Sequence, residues 1–233
     1  MSSVTYQQRR GQIQTYFDRT AAEAWKRLTS DAPVSGIRAT VRAGRDEMRR
    51  TLLDWLPADL HGKRVLDAGC GTGALAVEAA RRGALVVAID VAGTLVDLAR
   101  ERAAGACGDG AVEFLVGDML DPALGRFDHV VAMDSLIHYR APDTVAVLAG
   151  MASRTGASMV FTFAPKTVPL AVMHAVGRLF PRRDRAPAIE PVGEAALRAL
   201  LAAEPGLRCW IPGRTRRIVS GFYTSQALEL VRS

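Results

Sequence analysis

The stretch "VLDAGCGTGALA", residues 65–76, constrains the fold of this chain more than any other. An apolar run meets an acid, Asp67, then Gly69, Gly71 and Gly73 fall at alternate positions before the pattern turns helical. This reads as a strand, a tight turn and a helix start. Without Cβ atoms these glycines let a ligand approach the main chain closely. Parallel α/β sheets bind ligands beyond the carboxyl ends of their strands, where the strand order reverses, so the turn predicts where a ligand lies.

The spacing predicts which ligand. A dinucleotide turn reads G-x-G-x-x-G, whereas this one is G-x-G-x-G with Ala74 at the place of the third glycine. A carboxylate at Asp67 repels a pyrophosphate and suits a cationic amino-acid group. Asp90 ends the run "LVVAID" (85–90), 23 residues after Asp67, where an acid accepts hydrogen bonds from both ribose hydroxyls. In "GDM" (117–119), Asp118 is placed to take the exocyclic amine of an adenine and Met119 to flank its ring. The three acids together describe S-adenosyl-L-methionine, bound as a co-substrate.

From residue 63 strands and helices alternate. "RVLDAG" (64–69), "LVVAID" (85–90), "AVEFLVGD" (111–118), "FDHVVAMD" (127–134) and "SMVFTFAP" (158–165) read as strands. Helices are predicted at 73–83, 92–104, 142–153 and 193–203. Two further strand-like segments, "LRCWIP" and "ALELVR", complete an α/β, doubly wound, mainly parallel seven-stranded sheet with helices on both faces. Residues 1–60 read instead as a helical N-terminal arm. Ile13, Tyr16, Phe17, Ala24, Trp25 and Leu28 recur near helical period, "DAPVSG" breaks the pattern, and Val41, Met48, Leu52 and Trp55 share the face of a second helix that Pro57 ends. The predicted organisation is an arm at 1–60 and a cofactor-binding core at 61–233, with an inserted cap at about 166–192.

Charge enters when the acceptor is considered. The net charge of +6 suits nucleic acid, an anionic membrane or an acidic small molecule, and equally an Arg-rich surface with no partner. Methyltransferases acting on the amino groups of bases carry paired prolines after the fourth strand. That place reads "AMDSLIHY" (132–139), so no nucleic-acid partner is expected. The chain has no apolar run of about 18 residues to span a bilayer, and its opening segment lacks the core of a signal peptide. Cys70, Cys107 and Cys209 share no metal or redox spacing, which fits a reducing cytoplasm.

"VLDAGCGTG", "VVAID" and "VGDM" resemble the first three motifs of the class I S-adenosylmethionine-dependent methyltransferases. Residues 16–56, "DSLIHY" and "SGFYTSQALELVR" resemble the magnesium-protoporphyrin IX O-methyltransferase family of bacteriochlorophyll synthesis. The resemblance implies methyl transfer from S-adenosylmethionine to a propionate carboxylate of magnesium protoporphyrin IX, giving the monomethyl ester. Magnesium then enters only as part of the porphyrin, and no metal site of the protein's own is expected. The alternative is another small-molecule O-methyltransferase, such as one of quinone synthesis. Porphyrin esterification demands little of the protein's acid–base chemistry. The propionate is already ionised and the sulfonium is an activated donor, so alignment and exclusion of water carry the reaction.

The same resemblance gives His138 an active-site role, hydrogen-bonding the propionate, although a histidine there can also cap the following helix. It matches Tyr16 to an arm tyrosine that closes over the site, where periodicity alone makes it one more core residue. The expected cofactor set is Asp67, Gly69, Cys70, Gly71, Gly73, Asp90, Val91, Asp118, Met119 and Met133, with Arg38. Tyr139, Arg42, Arg182 and Arg183 are assigned to the substrate. Arg38 and Arg42, one helical turn apart, suit a methionine carboxylate or a propionate, and equally a solvated helix face. Arg182, Arg183 and Arg185 lie beside "VPLAVMHAVGRLF", a pairing that suits a flat apolar disc with two carboxylates or an exposed loop beside a surface helix. His174 is read as a structural residue before an axial ligand of the porphyrin magnesium, and His61 and His129 as carrying no chemistry. Cys70 is expected to fill space and offer its backbone N–H, not to act as a nucleophile. The porphyrin-binding subunit of magnesium chelatase is the expected protein partner. The run 167–180 is the candidate for peripheral contact of a cytoplasmic protein with the photosynthetic membrane.

Overall fold

The computed structural model describes residues 4–21, 36–166 and 188–233. Its centre is a seven-stranded sheet in the order β3-β2-β1-β4-β5-β7-β6. These strands are β1 (Arg64–Ala68), β2 (Leu85–Asp90), β3 (Ala111–Val116), β4 (Phe127–Ala132), β5 (Thr155–Phe163), β6 (Trp210–Ser220) and β7 (Tyr223–Arg232). The first five run parallel, and β7 lies antiparallel to both β5 and β6. β1 pairs with β2 on one side and β4 on the other, so the order reverses beside the glycine turn.

Continuous apolar runs form the central strands because both faces are covered. Leu66 and Val87 join one buried cluster with Leu148 and Phe161; Val65 and Val86 join another with Ala76 and Val96. The covering helices are α3 (Ala74–Arg81), α4 (Gly93–Ala103), α5 (Ala141–Ala152) and α6 (Glu194–Ala203), preceded in the chain by α1 (Val4–Tyr16) and α2 (Gly36–Asp54). A π-helical turn, Phe17–Ala21, continues α1.

The arm is built into the same packing. Tyr6 and Ile13 of α1 belong to the first cluster, while Met48, Leu52 and Leu53 of α2 belong to the second. α2 lies so near the β6–β7 turn that a Cβ on Gly44 would fall 2.5 Å from Cδ1 of Tyr223.

Several boundaries differ from the expected ones. β3 and β4 stop at Val116 and Ala132, two residues early, because the acids that follow leave the sheet, Asp118 for α1 and Asp134 for the cavity. β5 starts at Thr155 and not at residue 158. β6 is an 11-residue edge strand, longer than "LRCWIP" foretold; its middle, Arg214–Arg217, is exposed, so charge hides the strand pattern. Ala24, Trp25, Leu28 and most of "DAPVSG" lie outside the described residues, as do His174, Arg182, Arg183, Arg185 and the run 167–180. The two ends of the 166–192 insertion are pinned together: Lys166 N donates to Val192 O at 3.0 Å, and Val192 N donates to Ala164 O at 2.9 Å.

Candidate active site

A cavity of about 690 Å³ opens at the carboxyl ends of β1, β2 and β4. Tyr16, Phe17 and the α2 arginines line it from the arm, and residues 222–225 line it from the β6–β7 turn.

At its floor the carboxyl end of β1 holds Asp67, which is 1% exposed, with Oδ2 lacking any hydrogen-bond partner among the described residues. Burial pushes its carboxyl up to about 7, the nearby Asp90 charge adds to this, and a backbone hydrogen bond from Ala76 opposes it. An unpartnered, desolvated carboxylate oxygen lining a cavity suits an ammonium group. Asp90 is held differently. Its Oδ2 accepts from Gly71 N at 2.9 Å and its Oδ1 from Ala92 N at 3.0 Å. Burial raises its pKa and these backbone donors hold it back. Each oxygen retains acceptor capacity for a ribose hydroxyl.

The glycines earn their place for a reason other than the expected one. Gly69 and Gly73 have φ of 86° and 77°, which a side chain disfavours. A Cβ on Gly69 would lie 2.3 Å from Cβ of Ser135, and one on Gly73 would lie 2.8 Å from Cε1 of Phe114. At both positions the protein's own packing excludes the side chain. The Cys70 N–H is likewise not offered to a ligand, because it and Gly69 N–H donate to Ile89 O at 3.0 and 2.8 Å. Burial, with Asp67 and Asp90 close by, pushes the Cys70 thiol far up, so it is no nucleophile.

Val91, Met119 and Met133 line the cavity as expected, and so do Arg38, Arg42, Tyr16, His138 and Tyr139. Asp118 does not. Its Oδ1 accepts from Tyr6 OH at 2.7 Å and from Leu120 N at 2.9 Å, and its Oδ2 lies 3.4 Å from Arg10. The carboxylate assigned to adenine is therefore engaged by α1.

His138 stands on a 3₁₀ turn, Leu136–His138, with its Nδ1 3.4 Å from Ala188 O and its ring edge-on to Phe17 at 6.4 Å. The helix-capping alternative fails, because α5 starts from Arg140 with no side-chain cap. Tyr139 is buried and stacks on Tyr6 at 5.0 Å. His129 bonds Ser158 Oγ at 2.8 Å, and His61 bonds Asp59 at 2.6 Å; neither lines the cavity.

Sequence reasoning missed a further acid on the cavity wall. Asp134 follows β4 with φ 53°, and its Oδ2 lies 2.6 Å from Arg45 of α2. Tyr223 OH and Ser225 Oγ donate to it at 3.1 and 3.0 Å, and Thr162 Oγ1 at 3.2 Å. Arg38, Arg42, Arg45 and Arg49 form a row along one face of α2, all on the cavity. The signal for Asp134 lay inside "AMDSLIHY", but its partners are about 90 residues away in the chain.

Comparison with known proteins places this arrangement. A family described as "Methyltransferase domain" matches residues 65–155, and one described as "Magnesium-protoporphyrin IX methyltransferase C-terminus" matches residues 132–232. The magnesium-protoporphyrin O-methyltransferase of Rhodobacter capsulatus is 50% identical over 225 residues, covering 96% of this chain and 97% of that protein. The crystal structure of magnesium protoporphyrin IX methyltransferase from Synechocystis PCC 6803 with bound SAH superposes with a TM-score of 0.83 at 31% identity, covering 96% of this chain and 99% of that one. A ubiquinone biosynthesis O-methyltransferase of Xanthomonas oryzae is 34% identical over 181 residues, but spans 72% of this chain and 71% of its own length.

Proposed function

This chain belongs to the magnesium-protoporphyrin O-methyltransferase family, and from that premise we propose how its cavity methylates one propionate of magnesium protoporphyrin IX with S-adenosylmethionine as donor. The observation that carries the reading is the pairing within one cavity of a buried acid, Asp67, whose Oδ2 has no partner among the described residues, with a row of arginines on α2. The acid suits the ammonium of the donor, and the arginines suit the carboxylates of the acceptor.

The donor, when bound, supplies an activated sulfonium methyl. The protein does the rest by placement. Asp67 and Asp90 orient the amino-acid and ribose ends, while Val91, Met119 and Met133 pack around the base. Arg38 and Arg42 hold acceptor carboxylates, and His138 donates a hydrogen bond that steers the attacking propionate oxygen toward the methyl carbon. Tyr16 and Phe17 cover the site from the arm and exclude water. A propionate is ionised at neutral pH, so no residue needs to remove a proton. Orientation of this kind supplies up to about 7–11 kcal/mol.

Two finer elements belong to the same proposal. The porphyrin-binding subunit of magnesium chelatase hands over the substrate, since its product is this enzyme's acceptor. The run 167–180 gives a peripheral membrane contact, supported by its apolar residues and by the net charge of +6. No described helix is long and apolar enough to cross a membrane. Co-flotation with anionic liposomes, lost with neutral ones, is the expected result for the second.

The acceptor assignment is tested by offering two acceptors separately with S-adenosylmethionine. Methyl ester on magnesium protoporphyrin, and none on a catechol precursor of a quinone, is the predicted outcome. The opposite preference overturns the reading in favour of a quinone enzyme.

A further inference from the structure

We propose that Asp134 is the positioning residue of the acceptor side, and that its ion pair with Arg45 locks the arginine row of α2 to the turn that carries His138. The inference rests on the function proposed above and adds a residue to it.

Asp134 is the sole non-glycine residue with positive φ among the described residues. Such a conformation persists only where the surroundings over-determine it. Here they do so from separate directions. Its backbone N–H donates to Thr162 Oγ1 of β5 at 2.7 Å. Tyr223 and Ser225 of β7 donate to its carboxylate, and Arg45 reaches it from α2 at 2.6 Å. The carboxylate is 7% exposed, so the pair is screened little by solvent.

The adjoining residues show what this anchor sets. Ser135 Oγ donates to Ala68 O at 2.7 Å, tying the next residue to the end of β1. The 3₁₀ turn Leu136–His138 follows at once, and Ile137 O accepts from Glu190 N at 2.8 Å, where the chain returns from the insertion. Asp134 thus fixes the start of the segment that points His138 into the cavity. Through Arg45 it also fixes the rotation of α2, and with it the direction of Arg38 and Arg42, which lie on the same cavity wall.

The chemistry requires such quenching. An acid lining a cavity that receives a carboxylate repels its substrate. One guanidinium and the hydroxyls of Thr162, Tyr223 and Ser225 disperse the Asp134 charge, so that the acid serves geometry without opposing the acceptor. Asp134 contacts neither donor nor acceptor in this scheme and acts through Arg45 and the His138 turn.

Asp134→Asn tests the idea, because asparagine tolerates a left-handed backbone and keeps the shape while removing the charge and one accepting oxygen. The full chain is assayed for ester formation, for S-adenosylmethionine affinity by calorimetry, and for porphyrin affinity by Soret titration. Expected are a loss of at least about tenfold in kcat, donor affinity within about twofold of wild type, and a non-additive cycle with Arg45→Met in which the double variant is no worse than either single. Tyr223→Phe, which keeps both charges but removes one donor to Asp134, serves where Asp134→Asn folds poorly; a kcat loss of about two- to fivefold with unchanged donor affinity is expected of it, and wild-type kcat there overturns the proposal. Wild-type kcat in Asp134→Asn, additive losses in the cycle, or a parallel loss of donor affinity overturns the proposal. Absence of ester from the wild-type protein fails the functional reading instead, and the two failures are thereby told apart.

Discussion

The hydroxyl of Tyr6 donates to the Asp118 carboxylate at 2.7 Å, so the first helix of the chain is bonded to the acid that ends the third strand region. Tyr6 is 2% exposed, and its phenol is pushed far up by burial and by the Tyr139 and Asp118 neighbours, so it stays a donor at all working pH values. This contact ties α1, whose Ile13 and Tyr16 line the cavity, to the end of β3. Hydrogen bonds to a charged group contribute about 1.5–3 kcal/mol, and Asp118 keeps Leu120 N and Arg10 without this one. Tyr6→Phe is therefore expected to lower the unfolding midpoint by roughly 3–6 °C with kcat largely retained. An unchanged midpoint together with weakened donor binding, in thermal scans and calorimetry, would contradict that assignment.

Asp67 predicts a pH dependence whose sign follows from its environment. Its pKa is raised from the ordinary carboxylate value to about 7, so the folded protein binds this proton more tightly than the unfolded chain. Its contribution to stability is full below about pH 4 and is lost as the pH rises through about 7. The cationic donor reverses the preference by favouring the ionised form. Donor affinity is expected to climb between pH 5.5 and 7 in wild type, approaching about tenfold per unit at the acid end, with proton release. Asp67→Asn should bind weakly and flatly over that range. A flat wild-type profile in calorimetry would show that Asp67 does not hold the ammonium.

The glycines can be separated by what surrounds them. Gly69→Ala places a Cβ against Ser135 in a left-handed backbone, and Gly62→Ala has the same kind of φ, 69°, with nothing within 4 Å. The second is expected to cost about 1 kcal/mol of strain and leave activity intact. The first should cost more, and should lower kcat as well because Ser135 adjoins the His138 turn. Denaturant titration of both variants measures the difference, and equal losses would show that the Ser135 contact is immaterial.

His138 and Tyr16 are predicted to differ in the kinetic constant they affect. His138 is assigned to aligning the attacking oxygen with the methyl carbon, and misplacement by about 1 Å costs up to about 100-fold, so His138→Ala should lower kcat by roughly 10- to 100-fold. Tyr16→Phe keeps the ring that covers the cavity and removes only the hydroxyl. A loss smaller than that of His138→Ala is expected if Tyr16 excludes water; an equal loss in kcat at unchanged KM would give its hydroxyl a direct part.

Legibility in the sequence followed burial and locality. β2 is readable to the residue because Leu85–Asp90 is an apolar run with an acid at its end. β6 is readable only at its start, since Arg214, Arg216 and Arg217 are exposed and pair with Glu229 of β7, Glu47 of α2 and Gln226 of β7. The cofactor turn carries its own motif within nine residues. The cavity wall opposite has none: Arg45, Asp134 and Tyr223 come from α2, the end of β4 and β7, and only the closed sheet brings them together. Asp118 shows the converse. Its position after β3 was legible, but its partner Tyr6, 112 residues earlier, was not.

The most direct measurement of the central claim is the mass of the tetrapyrrole after incubation of the purified protein with S-adenosylmethionine and magnesium protoporphyrin IX. One added methyl ester, absent when either the protein or the donor is withheld, is the predicted result. A protein that binds the donor at the glycine turn yet leaves the porphyrin mass unchanged would contradict the account, because the cofactor site would stand while the acceptor assignment fell.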